Sequence, residues 1–162
     1  MLKATKATKA GRARNSGGSF AIVASRYNAR YVDAMLRAAQ AELKRAGVKK
    51  TQVVRVPGAF EIPAVAAKLS TLDPRPSAIL CLGVIFEGQT SHAQHVGWGV
   101  THALAQIQVQ QRIPVIHGVF VFEKAEHARV RCLGRKHNRG REAAQTALAM
   151  ARVMGSLGRR HE

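Results

Sequence analysis

Residues Arg55 to Leu69 read RVPGAFEIPAVAAKL, with Glu61 between Phe60 and Ile62. Neither an apolar core nor a helix interior asks for a carboxylate there. At the start of a helix that follows a strand end, such a group would sit at the rim of a ligand site. It is also what the positive end of a helix dipole favours, by about 0.3–1 kcal/mol, and pattern alone leaves both readings open. A second stretch, GVIFEGQTSH over Gly83 to His92, joins a glycine that permits close backbone approach to Thr90 and Ser91, which can cap the next helix. Its free N–H groups suit a phosphate or another oxyanion, although helix caps without a ligand are the commoner case. His92 beside such a loop suits proton transfer, since an imidazole titrates near neutrality; a histidine capping its own helix is the structural alternative. His95 would admit a metal shared with His92, but no third ligand has recognisable spacing and H-E-x-x-H is absent, so no metal site is expected. The run RVRCLGRKHNRGREAA carries five arginines, one lysine and one histidine. It is either a solvated basic face or a phosphate clamp, and spacing does not choose among Arg129, Arg131, Arg135 and Arg139.

These residues need a frame. SFAIVAS reads as a buried strand, and Val32, Met35, Leu36, Ala39 and Leu43 then recur at helical spacing until Gly47 closes the helix. TQVVRV is the second strand, and Ile62 to Leu69 a short helix with Pro63 in its first turn. SAILCLG is the third strand, SHAQHVGWGVTHALAQIQVQ the third helix and IPVIHGVFVF the fourth strand. Helical pieces around Glu123 to Val130 and from about Gly140 to Met154 finish the chain. Alternation of this kind predicts an α/β fold with a parallel sheet and helices on both faces. Ligands in such sheets bind outside the carboxyl ends of the strands. Tyr27 and Asn28, Pro57 to Glu61, and Gly83 to His92 follow successive strands, while His117 lies in the fourth or near its end.

With 162 residues and 46% hydrophobic content, the chain suits one compact domain. Two cysteines are too few for a disulfide framework, and no apolar stretch approaches the roughly 18 residues of a membrane span. A soluble cytoplasmic protein is expected. The net charge of +17 implies anionic partners. Lys3, Lys6, Lys9, Arg12 and Arg14 fall in an N-terminal stretch with no acid and nothing to bury. Residues 1–18 are therefore expected to form a disordered basic tail, open to nonspecific polyanion contact, ahead of a domain over 19–162. G-x-G-x-x-G and the Walker glycine-lysine loop are both absent.

V-P-G-A-F-E-I-P at Val56 to Pro63, L-G-x-x-x-x-G-x-T-x-H at Leu82 to His92, I-P-V at Ile113 to Val115 and N-R-G-x-E-A-A at Asn138 to Ala144 together resemble the 6,7-dimethyl-8-ribityllumazine synthase family of riboflavin biosynthesis. The resemblance runs from about Phe20 to Met154. It implies a flavodoxin-like three-layer sandwich around a four-stranded parallel sheet. The implied enzyme is a transferase that condenses 5-amino-6-(D-ribitylamino)uracil with 3,4-dihydroxy-2-butanone 4-phosphate, without metal or organic cofactor. It also implies a homopentamer or an assembly of pentamers, with active sites between subunits. Carried over by position, Tyr27 meets the heterocycle with Asn28 beside it, Phe60 and Glu61 meet the ribityl chain, Ala59 belongs to the same pyrimidine and ribityl contacts, and the backbone of Ile85 and Phe86 lies along the pyrimidine ring. Gly88, Gln89 and Thr90 form the phosphate loop, His92 is the general acid/base, and Arg131, seven residues before Asn138, is the phosphate arginine. His117 matches a position that reaches a neighbouring subunit's site.

Three positions depart from the common pattern: Glu87 where many members carry arginine, Gln94 where many carry an acid, and His117 where phenylalanine is frequent. A neutral amide at 94 can orient His92 but does not stabilise an imidazolium as a carboxylate would. Two alternatives from other classes are a catalytically silent lumazine- or flavin-binding relative and a polyanion-binding protein.

Overall fold

In the computed structural model, residues 18–158 are described; the expected basic tail, Gly18 apart, lies outside them. β1 (Ser19–Ser25), β2 (Lys50–Val56), β3 (Ala78–Phe86) and β4 (Val115–Phe122) form one sheet in the order β2-β1-β3-β4, with every pairing parallel. The helices are α1 (Ala29–Arg45), α2 (Ile62–Leu69), α3 (His92–Gln111), α4 (Ala125–Ala128) and α5 (Arg139–Gly158). The expected α/β sandwich with a four-stranded parallel sheet is what the chain adopts. Its last helix runs four residues beyond the expected end at Met154. The helical piece expected around Glu123 to Val130 starts and ends later: Lys124 is extended, α4 begins at Ala125, and it passes into a π-helical turn at Arg129–Leu133.

The two faces of the sheet sort the side chains. Phe20, Ile22 and Ala24 of β1 join Leu80 and Leu82 of β3 against α1 and α5, while Ala21 and Val23 join Ile79 and Cys81 against α2 and α3. Strands buried on both faces must be apolar at every position, which explains the unbroken runs FAIVA and AILCL. Each fully buried Leu or Ile contributes about 1.5–3 kcal/mol of transfer free energy. The edge strand β2 instead mixes exposed Lys50 and Gln52 with half-buried valines.

Helix ends are tied by specific residues. Gly47, at φ 85°, takes the left-handed conformation that ends α1, and Gly47 N and Val48 N donate to Lys44 O and Leu43 O at 3.0 and 3.1 Å. The N-R-G motif proves to be architectural. Asn138 is buried; its Oδ1 accepts from Gly140 N at 2.9 Å and Arg141 N at 3.3 Å, capping α5, while its Nδ2 donates to Cys132 O at 2.7 Å. Gly140 lies directly on the backbone of Met35, where a Cβ would overlap the carbonyl group. Farther along the same helix pair, buried Glu42 accepts from Arg45 and from Gln145 Nε2, the latter at 3.3 Å. Arg45 is the main reason the Glu42 carboxyl titrates below its usual value, against the opposing effect of burial.

Two outcomes follow. Gly140→Ala should force α5 off α1 and destabilise the fold by about 3 kcal/mol; urea midpoints at fixed protein concentration measure this, and an unchanged midpoint would contradict the close contact. Glu42 has a folded pKa below its unfolded value of about 4.3, so its stabilisation is complete above that pH and lost as pH falls through the folded pKa. Glu42→Gln should therefore lower the melting temperature at pH 7 and converge on wild type in acid. A gap independent of pH would refute the charge argument.

Candidate active site

Three strand ends meet at one edge of the sheet. After β1, Arg26 N donates to Val56 O at 2.8 Å and Tyr27 N to Pro57 O at 3.0 Å, so this loop is held against the end of β2. Asn28 caps α1 in the left-handed region at φ 57°, which asparagine tolerates better than most residues. Its Nδ2 donates to Val84 O on β3 at 2.7 Å, spanning the gap that opens where the β1 to β3 pairing stops at Ala24 and Leu82.

After β2, Pro57 and extended Gly58 lead into a 3-10 turn at Ala59–Glu61 that runs into α2. Glu61 Oε2 accepts from Gly58 N at 2.8 Å. The carboxylate thus closes its own turn with one oxygen, and it borders the cleft as well. Phe60 lies against α3 at Gly99, where a Cβ would stand in ordinary contact, 3.4 Å from the ring. Tyr27 and Phe60 are 74% and 64% exposed. Aromatic faces left this open beside a concave surface are suited to stacking on a flat ligand.

At the end of β3, successive side chains turn to opposite faces. Ile85 packs toward α2 and α3, while Phe86 packs edge-on against Tyr31, with ring centroids 5.4 Å apart, on the α1 side. The exposed loop Gly88 to Ser91 then starts α3, and Thr90 Oγ1 accepts a long bond from His92 N at 3.4 Å. His92, the first residue of this 20-residue helix, is itself exposed. The open helix N-terminus offers N–H groups and positive potential to an anion.

Tyr27, Asn28, Ala59, Phe60, Glu61, Ile85, Phe86, Gly88, Thr90 and His92 border a single open cleft of about 570 Å³. Gln89 belongs to the same loop without lining that space. Gly58 lines it too, and so do Val84, Ala93 and Val96, none of which has a role assigned from sequence. The last three are indistinguishable from core residues by type; their helix and strand positions beside His92 and Ile85 were the only available signal.

His117 and Arg131 lie elsewhere in the chain. His117 sits opposite Cys81 in the third of the eight β3/β4 pairs, with Nε2 2.8 Å from Thr101 Oγ1, in a depression shared with Phe120, Arg139 and Glu142. Burial of the ring lowers its pKa. Arg131 is exposed on the π-helical turn. Glu87 and Gln94 border a separate depression of about 360 Å³ with Trp98 and Val121, so neither lines the cleft. Among the described residues, no three His, Cys, Asp or Glu side chains gather as metal ligands would, and no helix is long and apolar enough to cross a membrane.

Residues 17–155 match the family model described as 6,7-dimethyl-8-ribityllumazine synthase. A protein of that name from Stenotrophomonas maltophilia is 39% identical over 140 residues, covering 85% of this chain and 90% of the relative. Another from Xanthomonas campestris pv. campestris is 37% identical over 146 residues, covering 89% and 94%. A third, from Xanthomonas oryzae pv. oryzae, is 39% identical over 140 residues. The motifs that surround the cleft and the motif that caps α5 therefore occur within one matched length, and the chain belongs to the 6,7-dimethyl-8-ribityllumazine synthase family.

Proposed function

We propose that the cleft condenses 5-amino-6-(D-ribitylamino)uracil with 3,4-dihydroxy-2-butanone 4-phosphate to give 6,7-dimethyl-8-ribityllumazine. The observation that carries this reading is the convergence of two open aromatic rings, a carboxylate, a helix-start loop and a histidine on one cleft, in a chain of this family. Each group has a task in the chemistry. Tyr27 and Phe60 give the heterocycle an apolar face, and Asn28 borders its polar edge. The free oxygen of Glu61 accepts from the ribityl hydroxyls. Gly88, Gln89 and Thr90, with the N–H groups that open α3, receive the phosphate.

The primary amine of the pyrimidine attacks the ketone carbonyl, and loss of water gives an imine. Phosphate then leaves, and ring closure expels a second water. His92 stands at the helix start, between the loop and the aromatic faces, where it moves protons to the departing oxygens and from the attacking nitrogen. Neither oxidant nor metal enters the balance. The free, buried Cys81 and Cys132 fit a reducing cytoplasm, the compartment we assign.

His117 and Arg131 take part through a second copy of the chain. Both lie outside the cleft of their own subunit, and the flank of α3 carries an exposed apolar surface, with Trp98 66% and Val109 74% exposed. That surface suits a homo-oligomer, which we take to be a pentamer with sites at its subunit boundaries. Arg131 then clamps the phosphate of a neighbour's substrate.

Mixing the protein with both substrates and following lumazine absorbance tests the activity; no rate above the spontaneous condensation would overturn it. His92→Ala should lower kcat roughly 10²-fold while leaving product affinity nearly intact, and wild-type turnover would remove His92 from the mechanism. Arg131→Ala should raise KM for the phosphorylated ketone more than KM for the pyrimidine. Unfolding and reassembling the two variants together should restore part of the activity, because some sites then draw a native His92 from one subunit and a native Arg131 from another. No restoration in confirmed mixed oligomers would mean that sites are not shared.

A further inference from the structure

The run V-V-R-V in β2 places an arginine, Arg55, one residue before the strand ends. Its neighbours Val54 and Val56 pack toward α2 and α3, so Arg55 turns to the opposite face, beneath the start of α1. There each of its three guanidinium nitrogens has a partner. Nε donates to Ala24 O at 3.2 Å, Nη2 donates to Ser25 O at 2.9 Å, and Nη1 lies 2.8 Å from Asp33 Oδ1 of α1. The side chain is only 26% exposed. An arginine held this far from water needs such partners to offset its desolvation, and an aliphatic residue would serve packing alone.

The two carbonyls belong to the last residues of β1. Ala24 is the last residue of β1 to pair with β3, and after Ser25 the chain turns into the segment that carries Tyr27 and Asn28. Tyr27 has a mostly exposed ring. Its direction therefore depends on its backbone: the Arg26 and Tyr27 amides on Val56 and Pro57, Asn28 on Val84, and the carbonyls gripped by Arg55. The guanidinium joins the end of β1, the end of β2 and the first turns of α1 in one fork that a single-point donor cannot reproduce.

We propose that Arg55, buttressed by Asp33, is a positioning residue that holds the 26–28 segment so that Tyr27 and Asn28 meet the pyrimidine in a fixed geometry. It touches no substrate and acts through the backbone of β1. The inference rests on the cleft being the condensation site, with Tyr27 and Asn28 on its pyrimidine side. Gly88 to Thr90 and His92 are anchored on β3 and α3, away from this fork, so the phosphorylated ketone and the proton transfers should be insensitive to it.

The test uses Arg55→Met, which retains an apolar stem, beside Arg55→Lys, which retains the charge opposite Asp33 but not the fork. In the folded full-length oligomer, Arg55→Met should raise KM for the pyrimidine and Kd for the lumazine product about tenfold, with kcat and the ketone KM within about twofold of wild type. Arg55→Lys should move the same two constants by a smaller factor. Amide exchange at Arg26 and Tyr27 should quicken about tenfold in either variant while exchange in α2 stays unchanged. Unchanged pyrimidine KM and unchanged exchange would overturn the proposal. So would an equal rise in both KM values, which marks general loosening of the fold. Should Arg55→Met fail to fold, Arg55→Lys decides by the same criteria. An inactive wild-type protein would refute the condensation reading, whereas an active wild type with indifferent variants would refute only the role of Arg55.

Discussion

The parallel pairing of β1 with β3 is the constraint on which the cleft depends. β1 leads outward to β2 through α1 on one face, whereas β3 leads the other way to β4 through α3 on the opposite face. Right-handed crossovers in opposite directions leave a crevice above the carboxyl ends of the two central strands. Asn28 bridges that crevice through its bond to Val84 O, and its left-handed backbone lets α1 begin immediately afterwards. Had the strands paired in another order, the aromatic loop after β1 and the helix start after β3 would not face one another.

Polar groups below the cleft edge do different work from those that border it. Arg55 and Asp33 carry opposite charges between strand ends and helix, and Asn138 satisfies both Cys132 O and the first amides of α5. The hydrogen bonds from Arg55 to Ala24 O and Ser25 O, and those of Asn138, are directional, so they hold a loop or a helix end in one orientation where hydrophobic contact alone would tolerate sliding. Around the cleft, by contrast, Tyr27, Phe60 and His92 are exposed. Open side chains on a tightly tied backbone are what a binding site of fixed shape requires, since the ordering cost is met in folding and not on binding.

Glu61 illustrates why a residue's type does not disclose a single role. The carboxylate satisfies Gly58 N and so shapes the turn that presents Phe60. Its position on the cleft leaves the other oxygen for a ligand. The structural and functional readings of this glutamate are compatible because a carboxylate has more acceptor sites than one amide can fill. N-R-G-x-E-A-A divides otherwise: Asn138 and Gly140 serve the helix start and the α1 contact, while Ala143 and Ala144 are core.

Period and punctuation in the sequence were enough for the element order, the parallel sheet and the strand ends at which Tyr27, Glu61 and His92 gather. Those features follow from local rules: apolar runs for strands buried on both faces, helical spacing for α1, and glycine or proline where the backbone must turn. Four things were decided only in three dimensions. Val84, Ala93 and Val96 line the cleft although their types match the core, because exposure depends on what fails to cover a residue. Nothing in its sequence context sets Arg55 apart from the other basic residues, and only the fold brings Ala24 O, Ser25 O and Asp33 around it. Glu87, beside the anion loop in sequence, borders a different depression because the chain reverses between β3 and α3. His117 and Arg131 stand outside the cleft of their own chain, since a β4 register that pairs His117 with Cys81 keeps it away from the strand ends. Sequence spacing measures distance along the chain, and packing sets which of those distances close.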